Sequence, residues 1–221
     1  MTTIHLDTAA IHVPEWVNDL ASFRRWVLSD ELPERCPVFY LAGEVWLDMV
    51  KEQVFSHVRL KQRFYQVLGV LADGERLGDF FPDGLLLTNE EADLSGNPDG
   101  TFVSKEALRE GRVQLVEGAE DGFVELEGTP DMVLEVVSDS SVVKDTDVLC
   151  DLYWKAGIRE YWLVDARGDR LQFSILRHTR TGYVAVRKVG GWLKSGVFQK
   201  SFQLTRETDE FGHPSFQLEV R

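Results

Sequence analysis

Two short, almost wholly apolar runs constrain this chain most: MVLEVV over Met132–Val137 and YWLV over Tyr161–Val164. Runs this short, rich in β-branched and aromatic residues, suit strands that are buried on both faces of a sheet. Between them, Asp145–Ala156 reads as a helix, and Gly157 stands where a C-terminal cap is expected. Strand, helix and strand in succession imply an α/β or α+β arrangement around a central mixed sheet.

The remaining segments fit around that unit. Pro14–Leu28 places Trp16, Val17, Leu20, Phe23, Trp26 and Val27 at helical spacing, which predicts an amphipathic helix. Val38–Asp48 (VFYLAGEVWLD) reads as a hairpin turning at Ala42-Gly43. From Lys51 to Ala72 the apolar positions Val54, Phe55, Val58, Leu60, Phe64, Val67, Leu68 and Leu71 predict a long helix ending near Asp73-Gly74. Strand-like runs at Phe80–Thr88, Thr101–Ser104, Val113–Val116 and Gly122–Glu127 are separated by Gly, Asn, Asp and Pro. Hairpins at Leu171–Leu176 and Tyr183–Val186 come before a polar C-terminal region. This reading makes 1–35 an N-terminal helical extension and 36–221 a single α/β (α+β) domain, with a mixed β-sheet flanked by helices and C-terminal β-hairpins.

The bulk numbers narrow the function classes. A chain of 221 residues with 43% hydrophobic and 28% charged content can bury a self-sufficient core. Cys36 and Cys150 lie far apart without Cys/His spacing, against a zinc site or a disulfide scaffold. No basic stretch followed by an apolar run opens the chain, and no run of about 18 apolar residues occurs, so a cytoplasmic protein without a membrane segment is expected. GxxxxGK[ST], GxSxG and HExxH motifs are all missing. The net charge of −13 opposes non-specific nucleic-acid binding, which relies on Lys and Arg to neutralise phosphates.

Glu135 is the most informative single residue. A carboxylate within a run of Met, Val and Leu costs several kcal/mol to bury unless it is paired or holds a metal. It is either a strand-end acid, in water or facing an arginine, or a metal ligand on a rigid strand. Asp99, in NPDGTFVS, is either a plain turn residue or its companion. Two such acids would form a hard-oxygen site for Mg²⁺ or Mn²⁺. Asp83, in a second Pro-Asp-Gly turn, rivals Asp99, whereas Asp131 and Asp165 read as turn or cap residues and Asp145 as a helix N-cap. The acidic stretch Glu117–Glu127 reads as a solvated hairpin face, and Trp154, Tyr161 and Trp162 as core.

The runs PDMVLEVVSDSS (Pro130–Ser141) and KDTDVLCDLYWKAGIREYWLVDAR (Lys144–Arg167), with PDGTFVS, GEVWLDM and the helix bearing His57, closely resemble the Uma-type restriction endonucleases. These bacterial proteins are placed in the PD-(D/E)XK nuclease superfamily. The resemblance spans Val38 to Leu176. It implies a restriction-endonuclease-like fold, a divalent metal held by Asp99 and Glu135, and phosphodiester hydrolysis on DNA, with a homodimer natural for double-strand cutting. The superfamily's lysine position, two residues after the glutamate, is Val137 here, and the alternative in the following helix is Leu149. Lys144 is the best remaining candidate for that role; His57 either lines the site or packs at its helix start. Arg63 stands where an acid is expected. These departures keep a second reading open, a catalytically lapsed nuclease fold acting as a binding or regulatory module. A third is an unrelated sugar- or nucleotide-binding α/β protein.

Overall fold

The computed structural model describes residues 2–5, 10–29, 31–32, 36, 38–47, 53–118, 122–169 and 171–221. In chain order, β1 (Thr2–His5) and β2 (Ala10–Val13) precede helix α1 (Leu20–Val27) and the hairpin β3 (Val38–Leu41)–β4 (Glu44–Leu47). A π-helical turn, Val54–Arg59, leads into α2 (Leu60–Gly74) and then β5 (Gly78–Pro82), β6 (Leu86–Asn89), β7 (Leu94–Gly96) and β8 (Gly100–Ser104). After α3 (Lys105–Arg109) come β9 (Val113–Glu117), β10 (Phe123–Gly128) and β11 (Met132–Val136). A second π-helical turn, Lys144–Val148, opens α4 (Leu149–Lys155), followed by β12 (Glu160–Asp165), β13 (Gln172–Thr179) and β14 (Gly182–Ala185). The short β15 (Leu193–Lys194) then precedes the long hairpin β16 (Ser201–Thr208)–β17 (Pro214–Val220).

Two six-stranded sheets dominate, in the orders β14-β13-β12-β11-β8-β5 and β4-β3-β7-β6-β10-β9. In the first, β11 runs parallel to β12 and antiparallel to β8. Side chains of β11 alternate between its two faces. Met132, Leu134 and Val136 join Leu60, Phe64 and Leu68 of α2 and Phe198, Phe202 and Phe216 of the C-terminal segment. Val133 joins Leu149, Leu152 and Tyr153 of α4, together with Phe39 and Leu87 of the second sheet. Burial on both faces explains why the β11 sequence is so uniformly apolar.

Several expectations need adjustment. The first helix starts at Leu20, not Pro14, because Asp19 caps it: its carboxylate accepts from the Ser22 amide at 2.7 Å, and Ser22 Oγ accepts from the Asp19 amide. The Ala42-Gly43 turn is as expected, with positive φ at both residues (49° and 89°), the geometry of a tight hairpin. Asp48, Lys51 and Glu52 lie outside the described residues. The run Phe80–Thr88 is two strands, β5 and β6, placed in different sheets by the Asp83-Gly84 turn. The segments expected as separate hairpins, Leu171–Leu176 and Tyr183–Val186, belong largely to two strands of one hairpin, β13 and β14. The polar C-terminal region forms a three-stranded sheet that closes one core. Glu160 ties it down by accepting from Ser195 Oγ at 2.7 Å. The acidic hairpin is not wholly solvated: Glu125 is buried, and Arg24 of α1 donates to both of its oxygens and to Glu127. Its residues 119–121 lie outside the described ones.

Candidate functional site

The register of the first sheet builds the site. β5 pairs with β8 through Pro82↔Gly100, and β8 pairs with β11 through Leu134↔Gly100. One further step along each strand sets Asp83, Asp99 and Glu135 side by side at one end of the sheet. Both Pro-Asp-Gly turns therefore serve the same place, and Asp83 is a neighbour of Asp99 rather than its rival.

Asp99 is anchored by backbone. Its Oδ2 accepts from the Val136 amide at 2.7 Å, in place of the ladder partner that β8 no longer supplies. The Val136 carbonyl accepts from His57 Nε2 at 2.8 Å. A carbonyl oxygen can only accept, so this nitrogen carries the hydrogen. His57 Nε2 also lies 3.9 Å from Asp99 Oδ2, so His57 lines the site.

Glu135 is 3% exposed, and Tyr153 of α4 donates to its Oε1 at 2.7 Å. It is not a solvated strand-end acid, and among the described residues no arginine pairs with it. Burial, then the nearby Asp99 charge and that of Asp145, push its carboxyl well above the usual range, while Lys144 and the Tyr153 hydroxyl pull the other way. The Tyr153 hydroxyl is itself driven far up by burial and by Glu135, so it stays a donor.

Lys144 is buried, not solvated: its Nζ lies 4.1 Å over the Phe39 ring and 3.5 Å from Asp145 Oδ1. Asp145 is buried too, accepting from Ser141 Oγ while its own amide bonds the Ser141 carbonyl, so it is not an N-cap. Val137 and Leu149, the two expected lysine positions, are 2% and 0% exposed and part of the apolar interior. Arg63 is not at the site; its Nε donates to the Phe216 carbonyl and ties α2 to β17. Asp165 pairs with Arg167.

Sequence reasoning missed Lys61 and Tyr153 as site residues. Lys61 Nζ lies 2.8 Å from Asp83 Oδ2 and 3.3 Å from Asp99 Oδ1, with its side chain 5% exposed. Its one sequence signal is the i+4 spacing from His57, which puts both on one side of a helix. Tyr153 falls among apolar residues and reads as core. Both π-helical turns, carrying His57 and Lys144, border the site; single π turns inside helices often do so at functional positions.

Gly100 sets the approach of β5 to β8. A Cβ there would stand 2.8 Å from Phe80 Cζ and 3.4 Å from Leu134 Cβ. Gly100→Ala is expected to cost about 1–2 kcal/mol through overpacking, measurable by urea unfolding; no change would show that the Phe80 ring yields freely.

Among the described residues, no group of three or more His, Cys, Asp and Glu side chains is arranged to hold a metal ion. The carboxylates of Asp83, Asp99 and Glu135 meet at this sheet end. No described helix is long and apolar enough to cross a membrane.

A family model, Uma2, described as "Putative restriction endonuclease", matches residues 21–207. A crystal structure from Anabaena variabilis, of a protein described as a "putative nuclease belonging to DUF820", superposes with a TM-score of 0.60 at 19% identity. The match covers 82% of this chain and 90% of that one, and identifies the fold as restriction-endonuclease-like. No curated protein matches the chain.

Proposed function

We propose, from the premise that this chain belongs to the Uma2 restriction-endonuclease family, that it is a divalent-metal-dependent endonuclease acting on DNA. The observation that carries this reading is Glu135, a buried carboxylate on a rigid strand, set beside Asp99 at the same sheet end. The donor set suits Mg²⁺ or Mn²⁺, which need one or two protein carboxylates and fill the remaining positions with water and substrate phosphate. Even with Glu135 left uncounted, Asp83, Asp99 and Asp145 outnumber Lys61 and Lys144 among the described residues there, and this excess of negative charge favours a cation before a phosphate can enter.

A divalent ion held there would polarise the scissile phosphate and lower the pKa of the attacking water. The chain's own residues supply geometry and charge. Asp99 is fixed through the Val136 amide, Glu135 through Tyr153, and His57 holds the Val136 carbonyl. Lys144 brings positive charge to bear on Glu135. In the reaction, water oxygen bonds to phosphorus in line while the bond to the leaving oxygen breaks. The attacking water gives up a proton to solvent, and the leaving alkoxide takes one from solvent and becomes a hydroxyl. Cutting both strands calls for two such sites, hence a symmetric homodimer.

The test is nicking of supercoiled plasmid with Mn²⁺ by wild type and by Glu135→Ala prepared identically. Nicking by wild type alone is the expected result. Equal nicking by both would point to a contaminant. Activity from neither, with Mg²⁺ or Mn²⁺, would favour a binding module on the same frame, a reading that Val137 and Leu149 support.

A further inference from the structure

We infer that Lys61, rather than Lys144, is the catalytic amine of this site; the inference rests on the nuclease reading above. The two positions where the superfamily's lysine is expected are filled by buried Val137 and Leu149. Lys144 sits over the Phe39 ring and against Asp145, on the face of the sheet from which its charge bears on Glu135. Lys61 comes from α2, and its ammonium lies within 3.3 Å of Asp99 and 2.8 Å of Asp83. Burying an ammonium is costly unless it is paired. The neighbouring helix positions Leu60, Phe64 and Leu68 are core residues, so packing alone would be met by an apolar side chain at 61.

The two aspartates differ in a way that suits catalysis. Asp99 is anchored on the Val136 amide and only 16% exposed, whereas the Asp83 side chain is 50% exposed. Asp83 is thus the partner that solvent reaches, so a phosphate oxygen can take its place on the buried ammonium and keep it paired. Lys61 would then neutralise the negative charge that grows on the phosphate as water attacks, beside the ion held by Asp99 and Glu135.

The test compares wild type with Lys61→Met, Lys61→Arg and Lys144→Met. Three quantities are read: the nicking rate in Mn²⁺, Mn²⁺ affinity by calorimetry without DNA, and the melting temperature. Lys61→Met is expected to slow nicking by about 100-fold, the usual effect of removing a group that stabilises transition-state charge. It should bind Mn²⁺ at least as tightly as wild type, because a cation competing for Asp99 is gone. Lys61→Arg should recover part of the rate, and Lys144→Met should lose less than Lys61→Met does. Should Lys61→Met not fold, Lys61→Gln keeps a donor to both aspartates and is expected to be folded, Mn²⁺-binding and slow. The assignment falls if folded Lys61→Met or Lys61→Gln nicks within about threefold of wild type. It also falls if Mn²⁺ affinity drops in step with the rate, which would make Lys61 a structural counter-ion. A wild type that nicks with neither metal overturns the nuclease reading itself, and this assignment with it.

Discussion

Glu135→Gln is expected to abolish Mn²⁺-dependent nicking and yet to melt at a higher temperature than wild type in metal-free buffer. The reason lies in the surroundings of the carboxylate. Burial and the charges of Asp99 and Asp145 outweigh Lys144 and Tyr153, so the charged form is disfavoured in the folded protein. Glutamine keeps an oxygen for the Tyr153 hydroxyl and removes the charge. A gain of about 1 kcal/mol is in the usual range for relieving a strained functional site, which for a chain of this size is roughly 2–4 °C. The pH dependence has a definite sign. The ordinary pKa of Glu135 is 4.5, and its folded value lies well above that. Stability linked to this group is complete below pH 4.5 and is lost as pH rises through the folded value. The advantage of the glutamine variant should therefore shrink as the buffer is acidified toward pH 4.5. Saturating Mn²⁺ should reverse the order by stabilising wild type alone, by about 2.7 kcal/mol at 100 times Kd. A glutamine variant that melts below wild type at neutral pH, without metal, would contradict the burial argument; retained nicking would remove Glu135 from the site.

Asp131→Ala should markedly destabilise the central sheet, and it should act without touching the site. The Asp131 side chain is fully buried. Its Oδ2 accepts from the Ser104 amide at 2.8 Å, and its Oδ1 accepts from Arg112 and Arg159 at 3.1 and 3.2 Å. It joins the end of β8 to the start of β11. Alanine would leave the Ser104 amide without that acceptor and remove the shared anion of both arginines, which solvent can reach, at a cost of about 2–3 kcal/mol or roughly 5–10 °C in Tm. The pH sign is opposite to that of Glu135. Burial alone would raise the Asp131 carboxyl, but the Ser104 and Arg112 contacts prevail and hold it below its ordinary 3.8. Its contribution is present above pH 3.8 and fades as pH falls through the folded value. Calorimetric melts from pH 3 to 8 would check both parts; a loss below about 1 kcal/mol would make the Asp131 network incidental.

Asp131 and Glu135 lie four residues apart in one strand region. Asp131 and Glu135 both bracket or interrupt MVLEVV, and periodicity cannot tell which is met by arginines and which by a second carboxylate. The difference arises because β8 delivers Ser104 to one end of β11 and Asp99 to the other.

Local pattern determined a good deal. The apolar runs of β11 and β12, the intervening helix, the Ala42-Gly43 turn and the body of α2 were legible because each buries residues at its own period and ends at Gly or Asp. Glu135 is conspicuous in its apolar run, Asp99 reads equally well as a plain turn residue until the motifs around it are considered, and those motifs point to the family that the comparison establishes. Less could be read where burial is sparse. β7 is three residues long, and β16 and β17 set Phe202, Phe216 and Leu218 among polar neighbours, so neither strand shows an apolar run. Lys61 illustrates the limit most clearly. On the helix it is one cation between Arg59 and Arg63; it becomes part of the site only because β5 and β8 pair in a register that brings two aspartates to its ammonium. Hydrophobic periodicity is a local property and is written in the sequence. The meeting of charges from separate elements depends on strand order and register, which only the folded chain sets.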